Sequence, residues 1–165
     1  MPCYNFALCH TATLYDKNPL LIGTTMPLEA IAINSLDAPL IKKPARDNDL
    51  AERLQALYDS DDEQPDGIEV LNIVEQGFKR GQYLYVGMFN DKPIAAVGCF
   101  DDGQTDAKRL QYLTVHQQNR GRAIDAKFIK LVYDAEVKKG VREFVPADAD
   151  IHRIMSEYDL LRVKD

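Results

Sequence analysis

Residues 113 to 124 decide the fold of this chain, and they read Leu113-Thr114-Val115-His116-Gln117-Gln118-Asn119-Arg120-Gly121-Arg122-Ala123-Ile124. The segment Arg109–Val115 has the pattern of a strand, and apolar residues recur at helical spacing from Ile124 onward. A strand therefore passes through a short basic turn into the first turn of a helix. Unpaired N–H groups at a helix N-terminus carry partial positive charge, so this turn predicts an anion-binding site.

The side chains of the turn strengthen that prediction. Arg120 and Arg122 can add charge-assisted hydrogen bonds to a phosphate. Gly121 and the small Ala123 let the backbone approach the anion closely. The turn lacks both the Gly-Lys-Ser/Thr ending of a P-loop and the Gly-x-Gly-x-x-Gly turn of dinucleotide-binding folds.

Hydrophobic periodicity predicts the other elements around this junction. The predicted strands are Leu28–Ile33, Tyr83–Phe89, Ile94–Phe100, Arg109–Val115 and Glu143–Val145. The predicted helices run from Asp49 to the acidic run Asp59–Glu63, from the N-cap Asp66 to about Gly77, from Ile124 to Lys139, and over Asp150–Tyr158. Asp49 and Glu52 resemble a capping box, and Asn90–Pro93 predict a hairpin connection. The order β, α, α, β, β, β, α, β, α predicts one α/β (α+β) domain over residues 27–165, preceded by an extension of uncertain order over residues 1–26.

Composition and charge exclude several classes of protein. The 165 residues suit one domain, and their net charge of −6 disfavours nonspecific nucleic-acid binding, which depends on neutralising phosphates. No apolar run approaches the roughly 18 residues of a membrane span, and three scattered cysteines predict neither a disulfide framework nor a metal site. The start of the chain lacks the pattern of a signal peptide, so the expected location is cytoplasmic. Six basic residues and one acid between Lys108 and Lys130 predict a local positive field for a small anionic ligand.

The turn also resembles a known family motif. Gln118-Asn119-Arg120-Gly121-Arg122-Ala123 fits the signature of the GNAT (Gcn5-related N-acetyltransferase) superfamily, which is Gln or Arg, two residues, Gly, one residue, then Gly or Ala. The preceding Leu113–Val115 and the order of elements over residues 28–160 agree with that family. The resemblance implies a mixed, mostly antiparallel central sheet flanked by helices. The final hairpin common in the family has no counterpart, and the extension 1–26 or a partner protein is expected to cover that edge.

The resemblance implies acetyl-CoA as the cofactor. The amides from Gln118 to Ala123 would cradle its pyrophosphate, and the strand edge near Leu113 and Val115 would pair with its pantetheine arm. The implied cofactor-binding residues are Leu113, Val115, Gln118, Asn119, Arg120, Gly121, Arg122 and Ala123. The implied activity is N-acetyl transfer to a primary amine, carried by a small molecule or a protein, with a backbone N–H of the third strand polarising the thioester carbonyl.

Catalytic groups are harder to assign. Met155 stands where many family members have a tyrosine general acid, and methionine cannot donate a proton. The weak candidates are Tyr112, His116, His152 and Tyr158. We expect each histidine to be structural more often than catalytic, and Tyr158 to be a packed aromatic.

Several nearby residues carry two interpretations or a structural one. Asp125 either stabilises the helix dipole or weakens cofactor binding. Asp148 and Asp150 flank the expected divergence of the strands and are also typical N-cap residues. Cys99, on an apolar strand, is expected in the core.

A non-catalytic alternative stays open. The chain also resembles the small acetyl-CoA-dependent activators of aspartate decarboxylase maturation, through the Ala147-Asp148-Ala149 run and Met155. That resemblance implies an acetyl-CoA sensor that regulates a partner protein, the decarboxylase zymogen of pantothenate synthesis. An enzyme would release free CoA in the presence of an amine, whereas a sensor would bind and release acetyl-CoA unchanged.

Overall fold

The computed structural model describes residues 11–14, 27–44, 47–104, 106–120 and 123–164. Its strands are β1 (Thr11–Leu14), β2 (Leu28–Ile33), β3 (Tyr83–Phe89), β4 (Lys92–Asp101), β5 (Ala107–Val115) and β6 (Glu143–Pro146). Its helices are α1 (Asp49–Asp59), α2 (Gly67–Phe78), α3 (Ile124–Lys138) and α4 (Ala149–Glu157), with a short 3-10 helix over Gln117–Asn119. From Leu28 onward the order of elements is the predicted one.

The strands form one sheet in the order β1-β2-β3-β4-β5-β6. All neighbours are antiparallel except β5 and β6, which are parallel. The prediction of a mixed, mostly antiparallel sheet flanked by helices is confirmed. None of the described helices is long and apolar enough to cross a membrane.

Strand β1 was not predicted, because Thr11–Leu14 are only four residues within a segment, residues 1–26, that shows no steady period. It pairs with β2, at the edge of the sheet opposite β6. The expectation that the extension covers the edge left by a missing final hairpin is therefore wrong for Thr11–Leu14. At the β6 edge, the backbone groups of Leu161 and Val163 make hydrogen bonds to the chain in and next to β6. Arg162 forms one antiparallel bridge to Glu143. Residues 1–10 and 15–26 lie outside the described residues, and the domain boundary at residue 27 stays a prediction.

Helices cover both faces of the sheet. Alternation along β3 sends Leu84, Val86 and Met88 to the face that packs on α1 and α2, and Tyr85 to the face that packs on α3 and α4. Helix α3 approaches closely at Gly87, where an added Cβ would lie 2.9 Å from the Cβ of Ala95 and 3.1 Å from the ring of Phe128. The sheet is therefore the central layer, and both of its faces are core.

Two local predictions needed correction and one was confirmed. The N-cap of α1 is Asn48, whereas Asp49 is the first helical residue and forms an ion pair with Arg53 at 2.8 Å. The hairpin connection is shorter than predicted, because Asn90 and Asp91, at φ 50° and 61°, form the turn and β4 already starts at Lys92. Asp66 caps α2 as predicted, since its side chain accepts a hydrogen bond from the N–H of Ile68 at 3.1 Å.

Candidate functional site

The candidate site is the cleft that opens where β5 and β6 separate. Their parallel ladder ends at the pair Leu110 and Pro146, and the N–H of Ala147 makes the last bond, to the carbonyl of Leu110 at 2.9 Å. Strand β5 continues to Val115, whereas the chain after β6 turns into α4. The divergence leaves a cleft of about 370 Å³ beside the second half of β5.

A β-bulge shapes this second half of β5. Ala96 pairs with Thr114 and Gly98 pairs with Gln111, so two residues of β5, Tyr112 and Leu113, stand opposite one residue of β4. Tyr112 has φ 60°, a conformation that is strained for a side chain with a Cβ. The buried hydroxyl of Tyr58 donates a hydrogen bond to the carbonyl of Tyr112 at 2.7 Å and so holds the bulge from the α1 side. Burial raises the pKa of Tyr58, with a further contribution from the charge of Asp148, so this hydroxyl stays a donor at neutral pH.

The bulge directs both backbone groups of Leu113 away from β4. The N–H of Leu113 donates to Oδ2 of Asp148 at 3.2 Å, and its carbonyl accepts from Nε2 of Gln64 at 3.0 Å. Asp148 follows β6, and Gln64 lies in the loop between α1 and α2. Side chains from two separate elements therefore occupy the positions that a backbone strand would take in an uninterrupted sheet.

The cleft is acidic. Its lining residues are Asp61, Asp62, Glu63, Leu113, Val115, Asn119, Arg120, Asp125 and Asp150. Among the described residues, five carboxylates thus face one guanidinium, so this part of the cleft lacks the positive field predicted from the basic cluster. Arg122 of that cluster lies outside the described residues. Two other members lie apart: Lys108 forms an ion pair with Asp101 at the far end of β5, and Arg120 is engaged within the cleft.

Asp61 connects the α1–α2 loop to β5. Its Oδ1 accepts the N–H of Glu63 at 3.1 Å, and its Oδ2 accepts the buried hydroxyl of Thr114 at 2.9 Å. Arg120 lies 3.5 Å from the same Oδ2, and its Nε donates to the carbonyl of Val115 at 3.1 Å. Only 11% of the Asp61 side chain is exposed, so this carboxylate organises the cleft.

The turn after β5 begins with the short 3-10 helix. His116 is its N-cap, and Nδ1 of His116 accepts the N–H of Gln118 at 3.2 Å. Ala123 is the N-cap of α3 and has φ 56° and ψ 24°, a left-handed conformation that suits glycine best and tolerates alanine. Asp125 is the second residue of α3. Its side chain accepts the N–H of Ala126 at 2.8 Å, and its carboxylate lies 3.6 Å from the guanidinium of Arg153.

The predicted cofactor-binding residues divide into three groups. Leu113, Val115, Asn119 and Arg120 line the cleft. Gln118 lies with His116 and Asn119 in a neighbouring depression of about 540 Å³, between α1 and the β3–β4 hairpin. Ala123 begins α3, and Gly121 and Arg122 lie outside the described residues.

The structure does not bring the four weak catalytic candidates together. The ring of Tyr112 packs edge-on against Phe100 at 6.3 Å, and burial raises the pKa of its hydroxyl. His116 lines the neighbouring depression, and His152 is exposed on α4. Tyr158 is 50% exposed at the end of α4, so the expectation that it is a packed aromatic is wrong.

Met155 and Cys99 are both core residues. Each is fully buried among the residues that join α3 and α4 to the sheet. Burial raises the pKa of the Cys99 thiol, as expected of a structural cysteine. The face of α4 that carries Met155 therefore offers no proton donor at that position.

Sequence reasoning missed Gln64 and Tyr58 and undervalued Asp61. These residues precede their β5 partners by about 50 positions: Gln64 and Leu113 are 49 apart, Tyr58 and Tyr112 are 54 apart, and Asp61 and Thr114 are 53 apart. The helical spacing of Leu50, Leu54 and Leu57 locates α1 but does not reveal which strand the end of the helix contacts. Only the polar residues at that end, Tyr58 to Gln64, signalled a site.

Sequence comparison gives no match: no family model and no curated protein matches the chain. Structural comparison gives many. Tetrahymena GCN5 superimposes with a TM-score of 0.54 at 13% identity, covering 70% of this chain and 69% of that one. A GNAT-family acetyltransferase from Streptococcus pneumoniae gives a TM-score of 0.51 at 11% identity, covering 80% and 83%.

An aminoglycoside 6'-N-acetyltransferase complexed with coenzyme A gives a TM-score of 0.50 at 15% identity. The match covers 58% of this chain and spans about half, 53%, of that enzyme. Structural matches at sequence identities this low show a similar fold and no more. The described part of this chain has the fold of the GNAT acetyltransferases.

Proposed function

We propose that this protein binds acetyl-CoA in the cleft between β5 and β6 and transfers the acetyl group to a primary amine. One observation carries the proposal: within the described residues, the β5 edge has no neighbouring strand beyond Leu110, and both backbone groups of Leu113 point away from β4 on that side. A strand edge that is held by side chains and not by another strand favours an extended ligand that carries its own amide groups. The pantetheine arm of coenzyme A, with two amides, is such a ligand.

The residues present fit the rest of the cofactor in part. The N-terminus of α3 and the amides of the preceding turn suit phosphates, and Ala123 adds little bulk there. Asp125 opposes them, but Arg153 lies 3.6 Å from its carboxylate and balances part of that charge. The phosphates therefore belong on the turn over residues 116–123, and the uncharged pantetheine arm belongs beside the carboxylates.

The acidic lining supports a cationic amine as the acceptor. Asp61, Asp62 and Glu63, in the α1–α2 loop, and Asp150, at the start of α4, would attract an ammonium group to the cleft. Acetyl-CoA would supply a thioester whose carbonyl carbon the neutral amine attacks, so that a C–N bond forms as the C–S bond breaks. CoA leaves as the thiolate, and the proton lost by the amine nitrogen passes to that thiolate directly or through water. The backbone of β5 would polarise that carbonyl, and holding the amine against it would supply much of the rate.

Calorimetric titration with acetyl-CoA tests the binding step. We expect micromolar affinity, about −8 kcal/mol, with free CoA as the comparison ligand. Asn119→Asp adds one negative charge to the turn without changing its size. It should weaken binding roughly fivefold, since one charge ~4 Å from another costs about 1 kcal/mol in water. The matched control is Asn72→Asp on the exposed face of α2, which should bind as the parent does. Equal affinities for the two variants would contradict the placement of the phosphates.

A sensor without catalysis is the second candidate, and the full burial of Met155 favours it. The position offers no proton for a leaving thiolate, and the four candidate residues do not converge. A screen of amines for release of free CoA separates the two functions. Release that depends on an added amine supports the enzyme. Tight binding of acetyl-CoA without release supports the sensor, whose partner would be a protein such as the aspartate decarboxylase zymogen.

A further inference from the structure

The backbone of Leu113 is already occupied by the protein itself. Its N–H bonds to Asp148 at 3.2 Å and its carbonyl bonds to Gln64 at 3.0 Å. These are the two groups that an extended ligand would need in order to add to the β5 edge. We call the pair Gln64 and Asp148 the clasp.

Asp148 also stands at the N-cap position of α4, but its side chain does not cap that helix. It is the N-cap residue of α4, with the extended conformation typical of that position (φ −105°, ψ 149°), and its carbonyl accepts the first helical bond from His152 at 3.0 Å. An N-cap aspartate ordinarily accepts a bond from an N–H in the first turn of its helix. Here the side chain makes no capping bond and accepts the N–H of Leu113 instead.

The surroundings allow the clasp side chains to move while the elements stay in place. The α1–α2 loop is fixed independently of Gln64, because Asp61 bonds to Thr114 at 2.9 Å and the side chain of Gln117 bonds to the carbonyl of Ser60 at 2.9 Å. The end of β6 is fixed independently of Asp148, because Ala147 bonds to Leu110 at 2.9 Å. Rotation of two side chains is enough to free the strand edge.

We propose that the clasp is an internal substitute for the ligand, and that Asp148 switches from Leu113 to the N-terminus of α4 when an extended ligand takes the β5 edge. This inference rests on the proposed binding of acetyl-CoA. The exchange nearly conserves hydrogen bonds: Leu113 passes from side chains to ligand, and the released carboxylate gains the amides of α4. Cofactor binding is thereby coupled to the capping of the helix that borders the cleft.

The two clasp residues make different predictions. Gln64 gains no new partner on release, so Gln64→Ala removes only a competitor and should tighten acetyl-CoA binding by about threefold to tenfold, the usual range for one hydrogen bond. Asp148→Ala removes the competitor and also the later cap, so its affinity should stay within about threefold of the parent, since the two bonds have similar strength.

Amide hydrogen exchange followed by NMR tests the switch directly. On addition of acetyl-CoA to the parent protein, the N–H groups of Asp150 and Ile151 should become more protected, and this gain should vanish in Asp148→Ala. Asp148→Asn should keep it, because asparagine is an equally good cap. Asp150→Ala is the control, since Asp150 lines the same cleft but does not bond to Leu113. In that variant the gain at Ile151 should persist.

The outcomes separate this inference from the function beneath it. A parent protein that fails to bind acetyl-CoA overturns the proposed function, and the inference with it. A parent that binds, together with a Gln64→Ala variant that binds more weakly, would make Gln64 a ligand contact and overturn the clasp. First-turn amides of α4 that do not respond to the ligand in the parent would overturn the switch.

Discussion

The two halves of β5 satisfy the backbone hydrogen-bonding groups on the side away from β4 in different ways. From Ala107 to Leu110 the strand has backbone neighbours on both sides, β4 and β6. From Gln111 to Val115 it keeps β4 on one side, and at Leu113 the other side is satisfied by two side chains. A backbone ladder can be released only by separating strands, whereas a side chain is released by rotation. A cleft can therefore be built into a continuous sheet where side chains replace a neighbouring strand over a few residues.

The boundary between the halves has a local cause. Strand β6 has only four residues, and after the N–H of Ala147 bonds to Leu110 the chain turns into α4. At the same level, the bulge at Tyr112 turns the backbone of β5 so that Leu113 no longer faces β4. Both strands therefore change direction together, and the cleft follows from the coincidence.

The largest expected effect tests whether the first half of β5 contributes more to stability than the second half. Leu110 is fully buried between β6 and the helices, so Leu110→Ala should cost about 2–5 kcal/mol of unfolding free energy. Leu113→Ala, at the cleft, should cost less, roughly 1–2 kcal/mol, because the cost depends on how well a site can collapse and the cleft side is open. Urea denaturation measures both. Equal losses would show that the two halves contribute alike and would break the comparison.

A smaller effect tests the bond that holds the bulge. Tyr58→Phe removes the hydroxyl that donates to the carbonyl of Tyr112 and leaves that carbonyl without this hydrogen bond. The loss should cost about 1–3 kcal/mol of unfolding free energy. The control is Tyr133→Phe, because the Tyr133 ring packs on Phe144 and its hydroxyl makes no hydrogen bond within the described residues. Thermal denaturation of the two variants should differ clearly, and a Tyr58→Phe variant as stable as the control would remove the bulge's anchor.

Alkaline pH tests the same bond from another side. Burial raises the pKa of Tyr58 in the folded protein, whereas in the unfolded chain the phenol ionises near pH ~10. The folded state therefore holds a proton that the unfolded state loses, and stability should fall as the pH rises through that value. The fall should be shallower in Tyr58→Phe than in Tyr133→Phe. Part of it should remain in both, because burial also raises the pKa of Tyr85.

The sequence predicted the elements well because their signals are local. The strand pattern of Tyr83–Phe89, buried on both faces, and the helical spacing after Ile124 are set by residues within one strand or a few helical turns, and both elements are confirmed. Strand β1 was missed because its pairing with β2, and not its own pattern, makes Thr11–Leu14 a strand.

The site was less predictable because its partners are distant in the chain. Leu113 meets Asp148 across 35 residues and Gln64 across 49, and no local pattern records such a meeting. Charge failed for a related reason. Lys108 and Arg120 are close in sequence, but strand β5 carries them to its opposite ends, so these two residues of the basic cluster do not meet in the cleft.

The acidic cleft gives a third test, which concerns how the second half of β5 is held from the loop side. Asp61→Asn and Asp62→Asn each remove one negative charge from the lining. Asp61 accepts two hydrogen bonds, so its variant should lose about 1–2 kcal/mol of stability, whereas the variant of the exposed Asp62 should change it by less than ~0.5 kcal/mol. If the two variants are equally stable, the Asp61–Thr114 bond does not fix the loop.

The smallest effect concerns the turn that leaves the second half of β5. Ala123 is held at φ 56°, where a side chain with a Cβ is strained and glycine is not. Ala123→Gly should therefore stabilise the folded protein by about 0.5–1 kcal/mol, although glycine in an ordinary helical position destabilises by a similar amount. Ala126→Gly, inside the first turn of α3, is the matched control and should destabilise. Opposite signs in denaturation experiments would show that the start of α3 requires a left-handed residue. Two losses would place Ala123 in an ordinary helical conformation and would remove the strained turn from the site.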